Sequence, residues 1–199
     1  MDNFAQLEGQ ALVVVAHPDD ETIWMGGTIL ANPQVGWTVF SLCRADDRDR
    51  APKFRKVCKF LGARAIISDL DDEEELSLGE SLPEIQKRLL AKLRGRRFDY
   101  IFSHGYSGEY GHPRHKGVHR QVKTMVRLGE LKTRHLFNFS YEFDERKNLC
   151  WPKEADLFFR LSPTLFRKKQ EIVNVIYGFR KSTFEYRTLT RMENFRTIK

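Results

Sequence analysis

The stretch that most constrains this chain is Leu12-Val13-Val14-Val15-Ala16-His17-Pro18-Asp19-Asp20-Glu21, an apolar run that stops at a histidine, a proline and three acids. Val13, Val14 and Val15 are β-branched and suit a strand buried on both faces of a parallel sheet. Pro18 disfavours helical geometry at the residue before it, so His17 still belongs to the extended segment. Residues 21–31 read as a helix, and Asn32-Pro33 ends it. The polar cluster therefore lies where a strand gives way to a helix, which is where open α/β sheets bind ligands. His17 and Asp20 are the kind of pair that holds a zinc ion, with a carboxylate left over to move protons.

The alternation continues. Strands are expected at residues 11–16, 37–43, 65–67, 98–103 and 134–140, and further helices at 51–61, 82–93, 113–128 and 165–177. Residues 69–75 form an acidic loop whose simplest reading is solvation. Residues 141–162 read as irregular and aromatic-rich, and the tail beyond Gly178 has no clear pattern. Strands alternating with helices imply the α/β class, with a Rossmann-like, mostly parallel sheet flanked by helices. One domain is expected across residues 1–199, with its core at about 11–140 and a more variable part at 141–199.

Composition narrows the partners. The net charge of +7 is spread along the chain, and no helix-turn-helix, RNP or finger pattern accompanies it. Nucleic acid is therefore not an expected partner. No run of about 18 apolar residues exists, so no transmembrane segment is expected. Residues 1–10 are too polar for a secretory signal. Cys43, Cys58 and Cys150 are widely spaced and form no CxxC pair, which fits a reducing cytoplasm.

A second polar stretch, Gly108-Glu109-Tyr110-Gly111-His112-Pro113-Arg114-His115-Lys116-Gly117-Val118-His119, follows the fourth expected strand. It too should emerge at the carboxyl edge of the sheet, with Pro113 opening a helix. The positive end of that helix favours neutral imidazole, the form that binds metal. His17, Asp20 and one histidine of this group make three protein ligands, and three ligands with an open position are the pattern of a catalytic zinc. His119, four residues after His115, rivals His112 for a place in the site.

The string Ala16-His17-Pro18-Asp19-Asp20-Glu21, together with Gly111-His112-Pro113-Arg114-His115, resembles the two motifs of the LmbE-like (PIG-L) zinc de-N-acetylases. The order of strands and helices to about residue 140 is similar as well. Carried over by position, the resemblance implies His17, Asp20 and His115 as metal ligands and Asp19 as general base. It implies His112 as the histidine that stabilises the oxyanion or protonates the leaving amine, and Arg50 as a substrate-binding residue. The implied reaction is hydrolysis of an acetamide on an N-acetylglucosamine-type sugar or glycoconjugate. Zinc is the implied cofactor, and the ligand types also admit Fe2+. Related folds often assemble, so a homo-oligomer is an open expectation.

Two departures bear on the substrate. Arg114 stands where the family often has an acid, and Lys53 stands where an acid often follows the arginine. Arg114 is expected either to face solvent or to recruit an anionic group of the substrate. His104, at the end of the fourth strand, is a further candidate for substrate contact. Glu21 suits a supporting contact better than metal ligation. Trp24 and Tyr110 suit the wall of the site, and Tyr141, Phe143 and Trp151 suit either a sugar platform or ordinary packing. Two alternatives share these features: a non-catalytic sugar- or nucleotide-binding module, and a zinc hydrolase of another small amide.

Overall fold

The computed structural model describes residues 7–73 and 75–198. Residues 1–6, Glu74 and Lys199 lie outside the described residues, and with them part of the polar N-terminal segment and one acid of the acidic loop. Four strand–helix units and a fifth strand come first: β1 (Gln10–Val15), α1 (Asp20–Ala31), β2 (Gly36–Cys43), α2 (Arg50–Phe60), β3 (Arg64–Leu70), α3 (Leu78–Leu93), β4 (Arg97–Ser103), the one-turn α4 (Gly108–Gly111), α5 (Pro113–Arg127) and β5 (Lys132–Phe139). The chain continues through β6 (Tyr141–Asp144), β7 (Leu149–Pro152), β8 (Leu157–Arg160), α6 (Pro163–Glu171), a π-helical turn (Ile172–Ile176), α7 (Phe184–Arg187) and β9 (Met192–Thr197).

The main sheet has the order β3-β2-β1-β4-β5-β9-β8. Strands β1 to β5 run parallel, while β9 lies antiparallel to both β5 and β8. This is a Rossmann-like α/β fold with a mostly parallel sheet flanked by helices. The β-branched run explains the position of β1, whose residues 11–15 are all fully buried. Val13 and Val15 face one core layer, with Trp24, Ile29 and Phe54 of α1 and α2. Leu12 and Val14 face the other, with Ile85, Leu89, Val118 and Val122 of α3 and α5. The chain leaves β1 toward β2 on one side and later returns to β4 on the other. The carboxyl ends of β1 and β4 therefore flank the topological switch point, where such sheets open a crevice.

Several elements differ from the sequence reading. Helix α3 starts at Leu78 because Ser77 and Glu80 close a reciprocal capping box, and Pro83 is accommodated inside it. Residues 141–162 are more ordered than expected: β6 and β7 form a hairpin, and β8 is the sheet's edge. The final helix changes to π geometry after Glu171. The tail supplies β9, whose sequence hides its role because one of its inward residues is an acid. Glu193 is fully buried and accepts from Gly27 N (2.9 Å), Thr28 N (2.7 Å), Thr28 Oγ1 (2.7 Å) and Lys169 Nζ (2.7 Å).

That acid also meets a break in α1. The helix breaks at Met25 (φ −149°), which exposes a second set of amide donors, and Glu193 caps them. Gly27 leaves room there for Leu161, since an added Cβ would stand 2.1 Å from Leu161 Cδ2 and force that side chain to shift.

Candidate active site

The cleft at the switch point has a volume of about 280 Å³ and is lined by the strand-end residues His17, Asp19 and Asp20. Arg44 just after β2, Arg50 at the start of α2 and Asp72 in the loop after β3 also line it, with Tyr110 from α4 and Phe184 and Glu185 from α7. Three atoms converge at its floor. His17 Nδ1 is 3.3 Å from Asp20 Oδ2, His115 Nε2 is 3.3 Å from the same oxygen, and the two nitrogens are 3.2 Å apart.

The outer atoms of each group are already committed. His17 Nε2–H donates to Asp72 Oδ1 (2.7 Å), and His115 Nδ1–H donates to Glu109 Oε2 (2.6 Å). These partners assign the tautomers. Trp24 Nε1 donates to Asp20 Oδ1 (3.0 Å), and the His17 amide donates to Asp20 Oδ2 (2.9 Å). Two imidazole lone pairs and a carboxylate oxygen are thus left facing one another. Donor atoms at ~2.0–2.1 Å from a tetrahedral zinc stand about 3.3 Å apart, so the triangle fits such an ion. Carboxylates behind the ligating histidines are the usual support of a metal site. The charges agree. Burial lowers the pKa of His17, but Asp20 and Asp72 more than reverse this; His115 is raised in the same way by Asp20 and Glu109. Burial raises the pKa of Asp20, yet His115 and His104 hold it well below the usual carboxylate range.

Asp19 stands beside this triangle with φ 111°, and Arg50 Nη1 reaches its Oδ2 at 2.7 Å. Burial and the neighbouring Asp20 raise its pKa well above that of an ordinary aspartate, with Arg50 opposing. Its amide donates to Glu21 Oε2 (3.1 Å), and Tyr177 Oη donates to Glu21 Oε1 (2.7 Å). Glu21 therefore supports the strained Asp19 backbone from behind. Arg44 (φ 71°) and Glu109 (φ 56°) are also left-handed, so three of the four non-glycine residues with positive φ among the described residues lie at this site. His112 Nδ1 accepts from Arg114 N (3.2 Å), and its ring is 4.7 Å from that of His17, centroid to centroid. Burial, with His115 and His17 nearby, lowers its pKa to about 3. The Arg50 guanidinium rests on the Phe179 ring at 4.7 Å, and Lys53 pairs with Asp49 (2.7 Å).

The structure brings His17, Asp19, Asp20 and Arg50 to one cleft, with His115 against His17 and Asp20 and His112 against His17. It corrects two expectations of substrate contact. His104 is fully buried: its ring stacks on His115 at 3.8 Å, Nε2 accepts from Ala16 N (3.0 Å) and Nδ1–H donates to Glu109 Oε2 (2.7 Å). It braces His115 and has no face for a substrate. Arg114 neither faces solvent nor reaches the cleft. It is buried, and its Nη2 donates to Asp71 Oδ2 and to Leu76 O (2.8 Å). His119 donates to His104 O from Nδ1 (2.9 Å), one turn away from the triangle. Tyr141 packs on Trp24 and donates to Trp24 O (3.0 Å).

Asp72, Glu109, Phe184 and Glu185 were not singled out by the sequence reading. Asp72 carried one usable signal, since it follows a strand at the carboxyl edge of the sheet. Glu109 stood inside a motif string but had no spacing to mark it. Phe184 and Glu185 reach the cleft only because α7 folds back over it.

A family model described as PIG-L: GlcNAc-PI de-N-acetylase matches residues 12–126. The uncharacterized protein L374 of Acanthamoeba polyphaga mimivirus is 24% identical over 155 residues, which cover 69% of this chain and 64% of that protein. The chain thus spans less than two thirds of that relative's length. Among solved structures, N,N'-diacetylchitobiose deacetylase from Pyrococcus horikoshii is similar with a TM-score of 0.69 at 17% identity, covering 95% of this chain and 83% of that one. GalB, the 4-carboxy-2-hydroxymuconate hydratase of Pseudomonas putida KT2440, is similar with a TM-score of 0.66 at 15% identity, covering 97% of each chain. At these identities the two structures show a shared fold. Their different reactions leave the chemistry to be argued from the site.

Proposed function

This chain belongs to the PIG-L (GlcNAc-PI de-N-acetylase) family, and on that premise we propose that it is a zinc-dependent hydrolase of N-acyl sugars. The favoured substrate is an N-acetylglucosamine-type sugar or glycoconjugate, which would lose acetate and keep a free amine. The observation that carries this reading is the convergence of His17 Nδ1, Asp20 Oδ2 and His115 Nε2 with no protein donor assigned between them. A divalent ion held there would supply a Lewis acid that polarises the amide carbonyl and acidifies water.

The chain's own residues do the rest. Asp19, with its raised proton affinity, takes the proton of the attacking water and returns it to the amide nitrogen as the C–N bond breaks. The products are a carboxylate and an amine. His112 is held neutral, with its proton on Nε2, so it acts as a hydrogen-bond donor to the developing oxyanion. Arg50 keeps Asp19 in place and offers its remaining N–H groups to a sugar hydroxyl. Tyr110 and Phe184, packed edge to face at 4.9 Å, give the cleft an aromatic wall suited to a sugar ring. Among the described residues no helix is long and apolar enough to cross a membrane. Cys43, Cys58 and Cys150 are free and buried, which supports a reducing compartment such as the cytoplasm.

Metal analysis should find about one zinc per chain. Acetate release from a panel of N-acetyl glycosides should stop with chelator, return with zinc, and be lost in Asp19→Ala with zinc still bound. Failure to bind metal after reconstitution would overturn the reading. A zinc-loaded protein inert toward every N-acyl sugar would favour a non-catalytic binding module or a different small amide.

A further inference from the structure

Arg114 occupies the turn between His112 and His115, yet its side chain points away from both, into the loop between β3 and α3. That loop carries five consecutive acids, Asp71 to Glu75, and it approaches a cleft that already holds Asp19 and Asp20. Like charges should drive it outward. It stays because arginines hold it from two sides. Arg44, at the end of β2, reaches Asp72 Oδ2 from Nε (2.8 Å) and Nη2 (2.5 Å). Arg114, from the first turn of α5, reaches Asp71 Oδ2 and Leu76 O.

Asp71 organises the loop's backbone. Its Oδ1 accepts from Glu73 N (3.0 Å) and its Oδ2 from Leu76 N (2.9 Å), just before Ser77 caps α3. The next residue, Asp72, holds His17 Nε2–H at 2.7 Å and so fixes which nitrogen of His17 faces the metal position.

We propose that Arg114 is a positioning residue: by clamping Asp71 and the Leu76 carbonyl, it holds Asp72 against His17 and thereby sets the orientation of a metal ligand. The cation in the second motif is then matched to the acidic loop. It is attached to the same turn that delivers His115, so one turn orients two of the three ligands, His115 by its own backbone and His17 through the loop. The metal-affinity part of this inference rests on the proposed zinc site; the His17–Asp72 part does not.

The test compares Arg114→Met, which keeps the bulk of the side chain but loses the guanidinium, with Asp71→Asn, Arg114→Lys and the Arg114→Met/Asp71→Asn double variant. Two quantities are read on each folded protein: zinc affinity by competition with a chromophoric chelator, and the imidazole N–H resonance of His17 in the metal-free protein. Loss of a group supporting a metal ligand typically weakens metal binding about 10–100-fold. Arg114→Met and Asp71→Asn should each show a fall of that order and lose the His17 resonance to solvent exchange. The double variant should fall no further than either single one, and Arg114→Lys should lie closer to wild type. If Arg114→Met lowers the melting temperature but leaves the resonance and the zinc affinity unchanged, Arg114 is merely structural and the inference is overturned. If wild type binds no zinc yet Arg114→Met still loses the resonance, the zinc reading fails and the clamp stands.

Discussion

Glu109→Gln isolates the charge behind His115 with almost no change of shape. The Glu109 carboxylate accepts three bonds: His104 Nδ1 (2.7 Å) and His115 Nδ1 (2.6 Å) at Oε2, and Gly105 N (2.7 Å) at Oε1. Burial alone would raise its pKa, but His104 and His115 outweigh that and bring it to about 2, so it is an anion. Glutamine cannot replace it in either orientation. With its oxygen toward the histidines, its NH2 opposes the Gly105 N–H and one bond is lost. Flipped, its NH2 opposes two ring N–H groups and two bonds are lost. The first orientation should prevail, at about 1.5–3 kcal/mol for one bond to a charged group. The metal effect is separate. Without the anion behind it, His115 is a weaker base, and such changes typically cost about 10–100-fold in metal affinity, or about 1.4–2.8 kcal/mol. Urea unfolding of the metal-free variant reads the first quantity, and chelator competition on the folded variant reads the second. Lower stability with wild-type zinc affinity would refute the view that Glu109 tunes a ligand.

Two further predictions concern the frame around the site. Glu193→Gln leaves the fully buried Lys169 ammonium without a carboxylate, so it should cost about 3–5 kcal/mol. Lys169→Met leaves Glu193 with the donors of Gly27 and Thr28 and should cost less; thermal unfolding of both variants checks the order, and the reverse order would show that the helix-capping account of Glu193 is wrong. Gly27→Ala gains helix propensity but drives a methyl into Leu161, for a net loss of about 1–3 kcal/mol. In the Leu161→Ala background the same substitution should be much less harmful, and equal costs in both backgrounds would refute the steric explanation.

Local pattern carried much of the architecture. The β-branched run of β1, Pro18 after His17 and Pro113 at the start of α5 act within a few residues of themselves, so they can be read without knowing the partners. Helix α3 starts one turn before the expected residue 82, because the Ser77–Glu80 capping box sets its first turn ahead of its apolar face. Strand β9 is illegible from sequence because Glu193 breaks the apolar alternation, and the acid is explained by donors on other elements, Lys169 and, more than 160 residues away, Gly27 and Thr28.

The same division runs through the candidate site. From sequence alone, two polar clusters had to emerge at the ends of two strands, since strand length and proline position are short-range effects. Only the tertiary structure decided that β1 and β4 are neighbours, which brings His115 within 3.2 Å of His17 across 98 positions of chain. It also decided which nitrogen of each histidine points inward, because Asp72 and Glu109 take the other one. Arg114 is the sharpest case. Its sequence position places it beside the cleft, but its long side chain can lie along either side of the turn. A buried guanidinium goes where a carboxylate and a carbonyl await it, and those belong to a loop that no local pattern connects to it.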